Sequence, residues 1–417
     1  MILLELSFLG ACNEVGRSSV AVRTDSIRLL LDCGVKFNSK LETPLFHNTH
    51  FDACIITHAH LDHSGAIPLL FKHNNPPVFC TFPTVPLVSM LLEDSVKVSN
   101  FNNVPLPYTR GNLNKAIHKM VSLAFDQEYE FFDGTKFSLR DAGHIAGSAG
   151  VELESGGKKL FYTGDFRLAE TVFNKSAVLP DEADVLIMES TYAFKDHPKR
   201  KDLEKSFVES VTDVIDAGGT ALLPCFAIGR TQEVMELFSR HAIADVYVDG
   251  MGQRVNDVLL EFPSYFRDFK AFERALGFTT RVENKLMRKK IAKSNSIIIT
   301  TAGMLDGGPV LYYLQQLKNQ EAKVFLTGYQ VAGTNGDRYL KGLPLDFGRY
   351  REEVNLPVKQ FDFSAHAGRS DLIKAVKKIN PEKVFLIHGE ECTAFAKDLR
   401  EQGFDATAPS TGDSFSV

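Results

Sequence analysis

The chain has 417 residues, of which 44% are hydrophobic, and a net charge of -5 at pH 7. This length and composition predict two or three domains with ordinary cores, and no apolar run approaches the roughly 20 residues of a membrane span. The acidic balance argues against a protein held to nucleic acid by overall charge alone, although a local basic groove stays open. Six cysteines without a CxxC pair predict buried free thiols, so a cytoplasmic location is expected.

The first half of the chain predicts strands and turns around a few helices. Alternating or continuous apolar runs predict early strands at 5–10, 18–23, 27–34 and 51–57. Helical patterns follow at 84–100 and 111–122. A strand-rich stretch then extends from about 128 to 165.

From about residue 200, helix and strand patterns alternate. Helices are predicted at 203–217, 230–240 and 311–318, and strands at 220–225, 244–249, 296–302, 323–328, 358–363 and 383–388. This alternation favours a parallel sheet flanked by helices. We therefore expect two layered units, the second inserted in the first.

Four potential metal ligands fall within six positions after the apolar run 53–56: His58, His60, Asp62 and His63. Imidazoles and a carboxylate crowded together are costly to bury without a counter-charge. A divalent metal removes that cost, because neutral histidine and ionised aspartate both bind it. The cluster therefore predicts a metal centre at the end of a buried strand.

Further candidates stand near later strand ends among small residues: His144, Asp165, His366 and His388. Each alone is unremarkable, since a lone polar residue at a strand end more often serves a turn. The remaining histidines lie in polar or helical surroundings and are interpreted as surface residues: His47, His50, His73, His118, His197 and His241.

Together these motifs resemble the metallo-β-lactamase-fold hydrolases of the β-CASP subgroup, nucleases of RNA maturation and DNA repair. Four motifs resemble those shared by the superfamily: Asp32, the His58-to-His63 cluster, His144 and Asp165. Glu189, His366 and His388 resemble the three motifs particular to β-CASP, and all come in the expected order. The resemblance implies an α/β fold: an αββα sandwich formed by residues 1–193 plus 365–417, with a β-CASP domain inserted at 194–364.

The resemblance also implies two Zn²⁺ per chain. One zinc would be held by His58, His60 and His144, the other by Asp62, His63 and His388, with Asp165 bridging both. A hydroxide shared by the two metals would attack the phosphate in line and leave a 5′-phosphate product. His366 would be the general acid, Glu189 would orient it, and Asp32 would orient a ligand.

The closest resemblance within the subgroup is to prokaryotic, especially archaeal, endonucleases related to the cleavage and polyadenylation specificity factor. His388 is typical of RNA-processing branches, and the motif at 143–149 has the Gly-His-x-x-Gly-Ser form. The chain starts on the first hydrolase strand, so it resembles the type without KH domains.

Glycine-rich segments of the inserted region predict contacts to phosphate, because glycines let backbone N–H groups approach closely. The candidate substrate residues are Arg230, Gly303, Gly328 and Ser364. The alternative for these segments is tight turns that pack the domains. The basic segment 281–293 could guide an RNA backbone or form a solvated helix face.

We therefore expect a zinc-dependent ribonuclease that cuts single-stranded RNA internally, with 5′–3′ exonuclease activity left open. The alternatives are a DNA nuclease of the same fold, a non-catalytic RNA-processing scaffold and a small-molecule hydrolase. No membrane partner is expected. A homodimer and an RNA-processing or decay complex remain open.

Overall fold

The computed structural model describes residues 4–37, 41–46, 49–102, 104–243 and 245–417. The chain divides into two compact units. The first comprises Met1–Glu170, Lys175–Asp196 and Ala365–Val417. The second comprises Thr171–Asn174 and His197–Ser364, and so interrupts the first in the sequence.

Two large sheets form the first unit. The described strands of one follow the spatial order Ser414–Ser416, Glu5–Phe8, Val20–Arg23, Arg28–Leu31, Ala53–Ile55, Val78–Thr81 and Met120–Leu123. Those of the other follow the order Ala406–Thr407, Lys383–Ile387, Val185–Glu189, Lys158–Tyr162, Ala149–Ser155, Lys136–Asp141 and Tyr129–Glu130. A short hairpin joins Lys36–Phe37 to Leu41–Glu42.

Alternation of side chains along the strands explains the layering. Leu29 and Leu31 face a shared core with Leu160 and Tyr162 of the other sheet. Phe161 faces the opposite way, into a second core lined by helices. The unit is therefore a sandwich of two sheets with helices outside, as the sequence predicts. Its helices are Leu61–Ser64, Ile67–Leu70, Thr84–Asn102, Arg110–His118, Arg369–Ile379 and Cys392–Glu401.

A parallel sheet forms the second unit, in the order Thr280–Arg281, Val246–Asp249, Ile297–Thr300, Thr220–Pro224, Ala322–Leu326 and Val358–Gln360. Every described pairing in it is parallel. Helices accompany the strands: Arg200–Asp216, Arg230–Arg240, Met251–Leu259, Phe269–Phe278, Lys285–Ile291, Pro309–Leu317 and Asn335–Leu340, with a 3₁₀ turn at Pro263–Tyr265. A small hairpin pairs Leu345–Asp346 with Arg351–Glu352.

The predicted helix at 111–122 is wrong in its last four residues. The helix ends at His118, and Met120–Leu123 is a strand that pairs in parallel with Val78–Thr81. The edge position in a sheet overrides the local helical pattern there. None of the helices among the described residues has the length and apolar character needed to cross a membrane.

Candidate metal centre

The predicted ligands of the first unit all stand at or just beyond strand ends. His58 and His60 follow Ala53–Ile55, and the short helix Leu61–Ser64 carries Asp62 and His63. His144, Asp165 and His388 follow three alternate strands of the second sheet: Lys136–Asp141, Lys158–Tyr162 and Lys383–Ile387. Rigid strands thus fix the positions from which the loops present their side chains.

One ligand group consists of His58, His60, His144 and Asp165. Nδ1 of His60 lies 3.1 Å from Nε2 of His58 and 3.1 Å from Nε2 of His144. Oδ2 of Asp165 lies 3.6 Å from the His58 nitrogen and 3.8 Å from the His144 nitrogen. Three nitrogens and one oxygen therefore converge as a metal ion requires.

A second ligand group consists of Asp62, His63, Asp165 and His388. Oδ1 of Asp165 is 3.3 Å from Nε2 of His63 and 3.2 Å from Nδ1 of His388. Oδ2 of Asp62 is 3.4 Å from Nε2 of His388. The structure therefore brings together all seven residues predicted as ligands.

Asp165 belongs to both groups, because each of its carboxylate oxygens faces a different one. Its side chain is 2% exposed, and Oδ1 is a buried oxygen without a hydrogen-bond partner among the described residues. A buried carboxylate oxygen left in this way is costly unless a cation completes its surroundings. The residues thus fit a pair of divalent metals with Asp165 shared between them.

Asp32 belongs to neither of the two ligand groups, but it holds a ligand through a hydrogen bond. Nδ1 of His63 donates to its Oδ2 at 2.7 Å, and the Tyr162 hydroxyl donates to the same oxygen at 2.7 Å. The Thr57 amide donates to Oδ1 at 2.8 Å. The bond from His63 fixes the tautomer that leaves Nε2 free for a metal.

His144 is oriented in a similar way. Its Nδ1 donates to the backbone carbonyl of Ala365 at 3.0 Å, which leaves Nε2 as the ligand atom. Nδ1 of His58 lies 3.1 Å from the hydroxyl of Thr57, with the same consequence for its Nε2.

Burial and mutual repulsion set the protonation of the cluster. Burial, with a contribution from His63, lowers the pKa of His58 well below its usual range. Burial lowers the pKa of His144 in the same direction. Burial opposes ionisation of Asp165 as well, but His388 and His63 outweigh it and hold the pKa of that carboxyl well below its usual range. Neutral His58 and His144 and ionised Asp165 are in the forms that bind metal. Burial also lowers the pKa of His63, but Asp165 and Asp32 outweigh it and raise that pKa well above its usual range.

His366 lies beside this cluster with Glu189 behind it. Nδ1 of His366 donates to Oε2 of Glu189 at 2.9 Å, and Glu189 also accepts from the Phe166 amide and the Thr191 hydroxyl. Burial lowers the pKa of His366, but Glu189 and Asp165 outweigh that effect and raise the pKa to about 9. The carboxylate therefore fixes the ring and favours its protonated form.

Sequence reasoning missed three supporting residues: Thr57, Tyr162 and Thr191. The Thr191 hydroxyl donates to Glu189 at 2.6 Å and lies 3.2 Å from Nδ1 of His388, so it links two motifs. Thr57 and Thr191 lie beside the predicted motifs in the sequence. This position could have identified them as supporting residues. Tyr162 sits inside an apolar strand and gives no such signal.

The substrate candidates belong to the second unit. Arg230 is 8% exposed and is ion-paired with Glu233. Ser364 is also buried, at 6% exposed. Gly303 and Gly328 occupy loops that follow strands Ile297–Thr300 and Ala322–Leu326.

The basic segment 281–293 is partly neutralised. Arg288 makes a two-point ion pair with Asp249 at 2.6 and 2.8 Å, and Arg281 pairs with Asp257. Among the predicted surface histidines, the His197 side chain is only 8% exposed and lies 3.7 Å from Asp362. Its surface assignment is therefore wrong. His47 lies outside the described residues, and the others are exposed: His50, His73, His118 and His241.

A sandwich of two sheets with a histidine and aspartate centre at its loop edge defines a metal-dependent hydrolase. Residues 27–218 match the Beta-lactamase superfamily domain, 231–338 the Beta-Casp domain, and 351–409 the Zn-dependent metallo-hydrolase RNA specificity domain. The chain belongs to the β-CASP family of metallo-β-lactamase-fold hydrolases. This family implies a divalent metal, which the ligand groups fit.

Named relatives cover almost the whole chain. "Probable RNase MJ4" of Methanocaldococcus jannaschii is 38% identical over 99% of this chain and 100% of its own length. "RNase aCSPSF2" of Saccharolobus solfataricus is 34% identical over 99% of this chain and 85% of its own. "Transcription termination factor FttA" of Methanocaldococcus jannaschii is 33% identical over 95% of this chain and 69% of its own.

A solved structure shares the fold over the full length of both chains. It is titled "Crystal Structure of a Protein of Unknown Function from Enterococcus faecalis V583", with a TM-score of 0.64 and 14% sequence identity. At this identity the likeness concerns the fold alone.

Proposed function

We propose that this protein is a ribonuclease that holds two zinc ions and hydrolyses phosphodiester bonds in single-stranded RNA. The observation that carries the proposal is the position of Asp165, whose two oxygens face two separate ligand groups. A pair of metals, when bound, neutralises phosphate charge and lowers the pKa of water. Relatives named as ribonucleases over the full length of the chain support RNA as the substrate.

The chain's own residues supply the remaining chemistry. His366 keeps Nδ1 on Glu189, so the proton it can transfer is the one on Nε2. Its expected acceptor is the ribose 3′-oxygen that leaves when the bond breaks. Asp32 holds the His63 ring in place, and Thr57 holds the His58 ring. In this proposal residues 1–193 plus 365–417 form the catalytic domain, and residues 194–364 form the β-CASP domain.

A complete ligand set argues against a non-catalytic scaffold, because a protein that only binds RNA has no need for both groups. A DNA nuclease is the second candidate of the same chemistry. Competition between RNA and DNA of one sequence distinguishes the two. A homodimer, an RNA-processing or decay complex and a cytoplasmic location are further expectations, supported by resemblance and composition alone.

Cleavage of one labelled RNA in linear and circular form tests the proposed activity. We expect the circular RNA to be cut in the presence of Zn²⁺ and the products to carry 5′-phosphates. Cleavage restricted to the linear RNA would limit the enzyme to exonuclease activity. If neither RNA is cut while DNA is, the DNA nuclease is the correct assignment.

Asp165→Ala tests the two-metal assignment. It removes the shared ligand, so cleavage should fall by about a thousandfold or more and bound zinc should fall below two per chain. Asp181→Ala is the matched control, because Asp181 is exposed and belongs to the same unit. Undiminished cleavage by Asp165→Ala in metal-replete buffer would contradict the assignment.

A further inference from the structure

We propose that Phe226 and Tyr329 form a stacking surface for unpaired RNA bases on the second unit. This inference rests on the proposed ribonuclease function. It adds that the second unit binds the unpaired bases of the RNA. Phe226 is 39% exposed and Tyr329 is 51% exposed, although both belong to residue types that folding usually covers.

The two rings stand at one edge of a parallel sheet. Phe226 follows strand Thr220–Pro224, and Tyr329 follows strand Ala322–Leu326, its immediate parallel neighbour. Strand Ile297–Thr300 flanks the first of these on its other side and leads into the loop of Gly303. The loops beyond the carboxyl ends of parallel strands are where such sheets bind ligands.

Glycines leave room around the Phe226 ring. A Cβ on Gly303 would lie 3.3 Å from Cδ2 of Phe226, and a Cβ on Gly328 would lie 3.8 Å from its Cε2. Gly328 directly precedes Tyr329, so the second aromatic side chain begins beside the first. A Cβ on Gly303 would crowd the Phe226 ring, and a Cβ on Gly328 would only touch it, so the two glycines leave this side of the ring uncovered.

Hydrogen bonds hold the backbones of the loops that carry the two rings. The Phe226 carbonyl accepts from the hydroxyl and the amide of Thr231, in the first turn of helix Arg230–Arg240. Nε2 of Gln330 donates to the carbonyls of Gly303 and Gly328, which ties the two glycine loops together. Preformed loops lose little conformational entropy when a ligand binds.

Unpaired nucleic-acid bases are the occupant that suits this edge. Aromatic side chains bind single strands by stacking, which tolerates any base because every base has a flat face. Helices Arg230–Arg240 and Pro309–Leu317 also begin at this edge. The partial positive charge of their first turns complements the phosphates between the bases. Paired bases in a duplex cannot reach the rings, so the surface should favour single strands.

The binding test uses single-stranded RNA and an abasic oligonucleotide of equal length, with every protein made on a His366→Ala background that keeps the metal and slows cleavage. Phe226→Ala and Tyr329→Ala should each weaken binding of the RNA by about tenfold and leave binding of the abasic strand unchanged. Tyr329→Phe keeps the ring and should bind like the unaltered protein. Tyr350→Ala is the matched control, because Tyr350 is also 51% exposed and lies between the strands of the small hairpin.

A spectroscopic test is available because the chain contains no Trp. Tyr329→Trp introduces a single reporter whose emission should be quenched when single-stranded RNA binds. Tyr350→Trp should show no such quenching. These readouts do not depend on turnover.

Equal RNA binding by Phe226→Ala, Tyr329→Ala and the unaltered protein, with unchanged Tyr329→Trp emission, would overturn the inference while leaving cleavage intact. A change of oligomeric state in the alanine variants with unaltered RNA binding would instead make the surface a protein interface, and would also overturn it. Failure of the unaltered protein to bind or cleave any RNA would overturn the proposed function itself. Circular dichroism of each variant verifies that the fold is retained.

Discussion

Electrostatics at Asp165 explains why the centre needs cations. Four ring nitrogens, from His58, His63, His144 and His388, lie between 3.2 and 3.8 Å from its carboxylate oxygens. Burial alone would drive this carboxyl towards its neutral form, and the neighbouring histidines reverse that tendency. A bound metal would supply positive charge to this carboxylate in a stronger and fixed form.

His366→Ala should separate metal binding from catalysis. His366 belongs to neither the His58 group nor the Asp62 group, and its Nδ1 is held by Glu189, so bound zinc should be retained. A third cluster of possible ligands does include His366, with Asp165, Glu189 and His388, so zinc analysis decides its role. Loss of the proton donor should lower kcat by about a hundredfold to ten-thousandfold. Zinc analysis and steady-state kinetics on one RNA measure both quantities, with exposed His118→Ala as control. A fall in bound zinc would make His366 a ligand instead.

For individual residues, the sequence was most informative about metal ligands, because few residue types can bind a metal. The ligands predicted from motif order all converge in the structure. Tyr162 could not be predicted, because a buried tyrosine in a strand differs from a core phenylalanine only through a hydroxyl whose partner, Asp32, lies far away in sequence. Arg230 shows the reverse case, since its pairing with Glu233 is an i,i+3 contact within one helix that the sequence spacing could have indicated.

The ligand loop of the first unit depends on a close approach between two backbone segments. A Cβ on Gly34 would lie 1.6 Å from the carbonyl oxygen of Asp62 and 2.8 Å from the amide nitrogen of His63. The Ser18 amide donates to that same Asp62 carbonyl, so the segment has little freedom to move away. Glycine at this position therefore serves the metal centre directly.

Gly34→Ala should displace Asp62 and His63. We expect about tenfold weaker zinc binding and a loss of about 1–3 kcal/mol in the free energy of unfolding. Competition with a coloured chelator and urea unfolding measure the two effects. Gly111→Ala is the matched control, because a Cβ on Gly111, in helix Arg110–His118, would meet only the Thr109 hydroxyl at 3.6 Å. Unaltered zinc affinity in Gly34→Ala would contradict this account.

Helix Arg230–Arg240 carries a buried carboxyl, that of Glu236, whose ionisation lowers the stability of the folded protein. Burial raises the pKa of Glu236 to about 7, against the opposing effect of Arg240. Between pH 4.5 and about pH 7 the folded protein keeps a proton on Glu236 that the unfolded chain loses. The contribution of Glu236 to the free energy of unfolding is therefore complete below pH 4.5 and is lost as the pH rises through about 7. The second unit should therefore lose stability across this interval.

Glu236→Gln should remove that loss. Between pH 5 and pH 8, the variant should retain up to about 3 kcal/mol more of its unfolding free energy than the unaltered protein. Urea unfolding followed by circular dichroism at both pH values measures the difference. Exposed Glu273→Gln should leave the pH dependence unchanged. Parallel pH profiles for Glu236→Gln and the unaltered protein would refute the assignment.

Helices and strands were predictable where the local sequence pattern agrees with the secondary structure that the surrounding fold imposes. The helix at 230–240 has the predicted bounds, because its apolar face and its glycine start are both local signals. Residues 119–122 were misassigned, because their strand identity comes from pairing with Val78–Thr81, more than 35 residues earlier. Sheet neighbours of this kind cannot be inferred from a local window of sequence.

Metal removal should affect the two units unequally. The ligands belong wholly to the first unit, so chelation should lower its stability by about 3–4 kcal/mol at a hundredfold to thousandfold excess of metal over Kd. Hydrogen exchange should rise in Lys158–Tyr162 and Lys383–Ile387 and change little in Ile297–Thr300. Re-addition of Zn²⁺ is the control. An equal rise in all three segments would contradict this expectation.

The position of His388 in the chain has a consequence for the protein's own synthesis. Its strand, Lys383–Ile387, adds to Val185–Glu189 only after the whole second unit has been made. The ribosome makes the chain from its N-terminus. A chain made only as far as the second unit therefore lacks His366 and His388, although it already contains His58, His60, His144 and Asp165. If His366 and His388 have the proposed roles, cleaving capacity arrives only with the last part of translation, and a chain that stops before these residues has none.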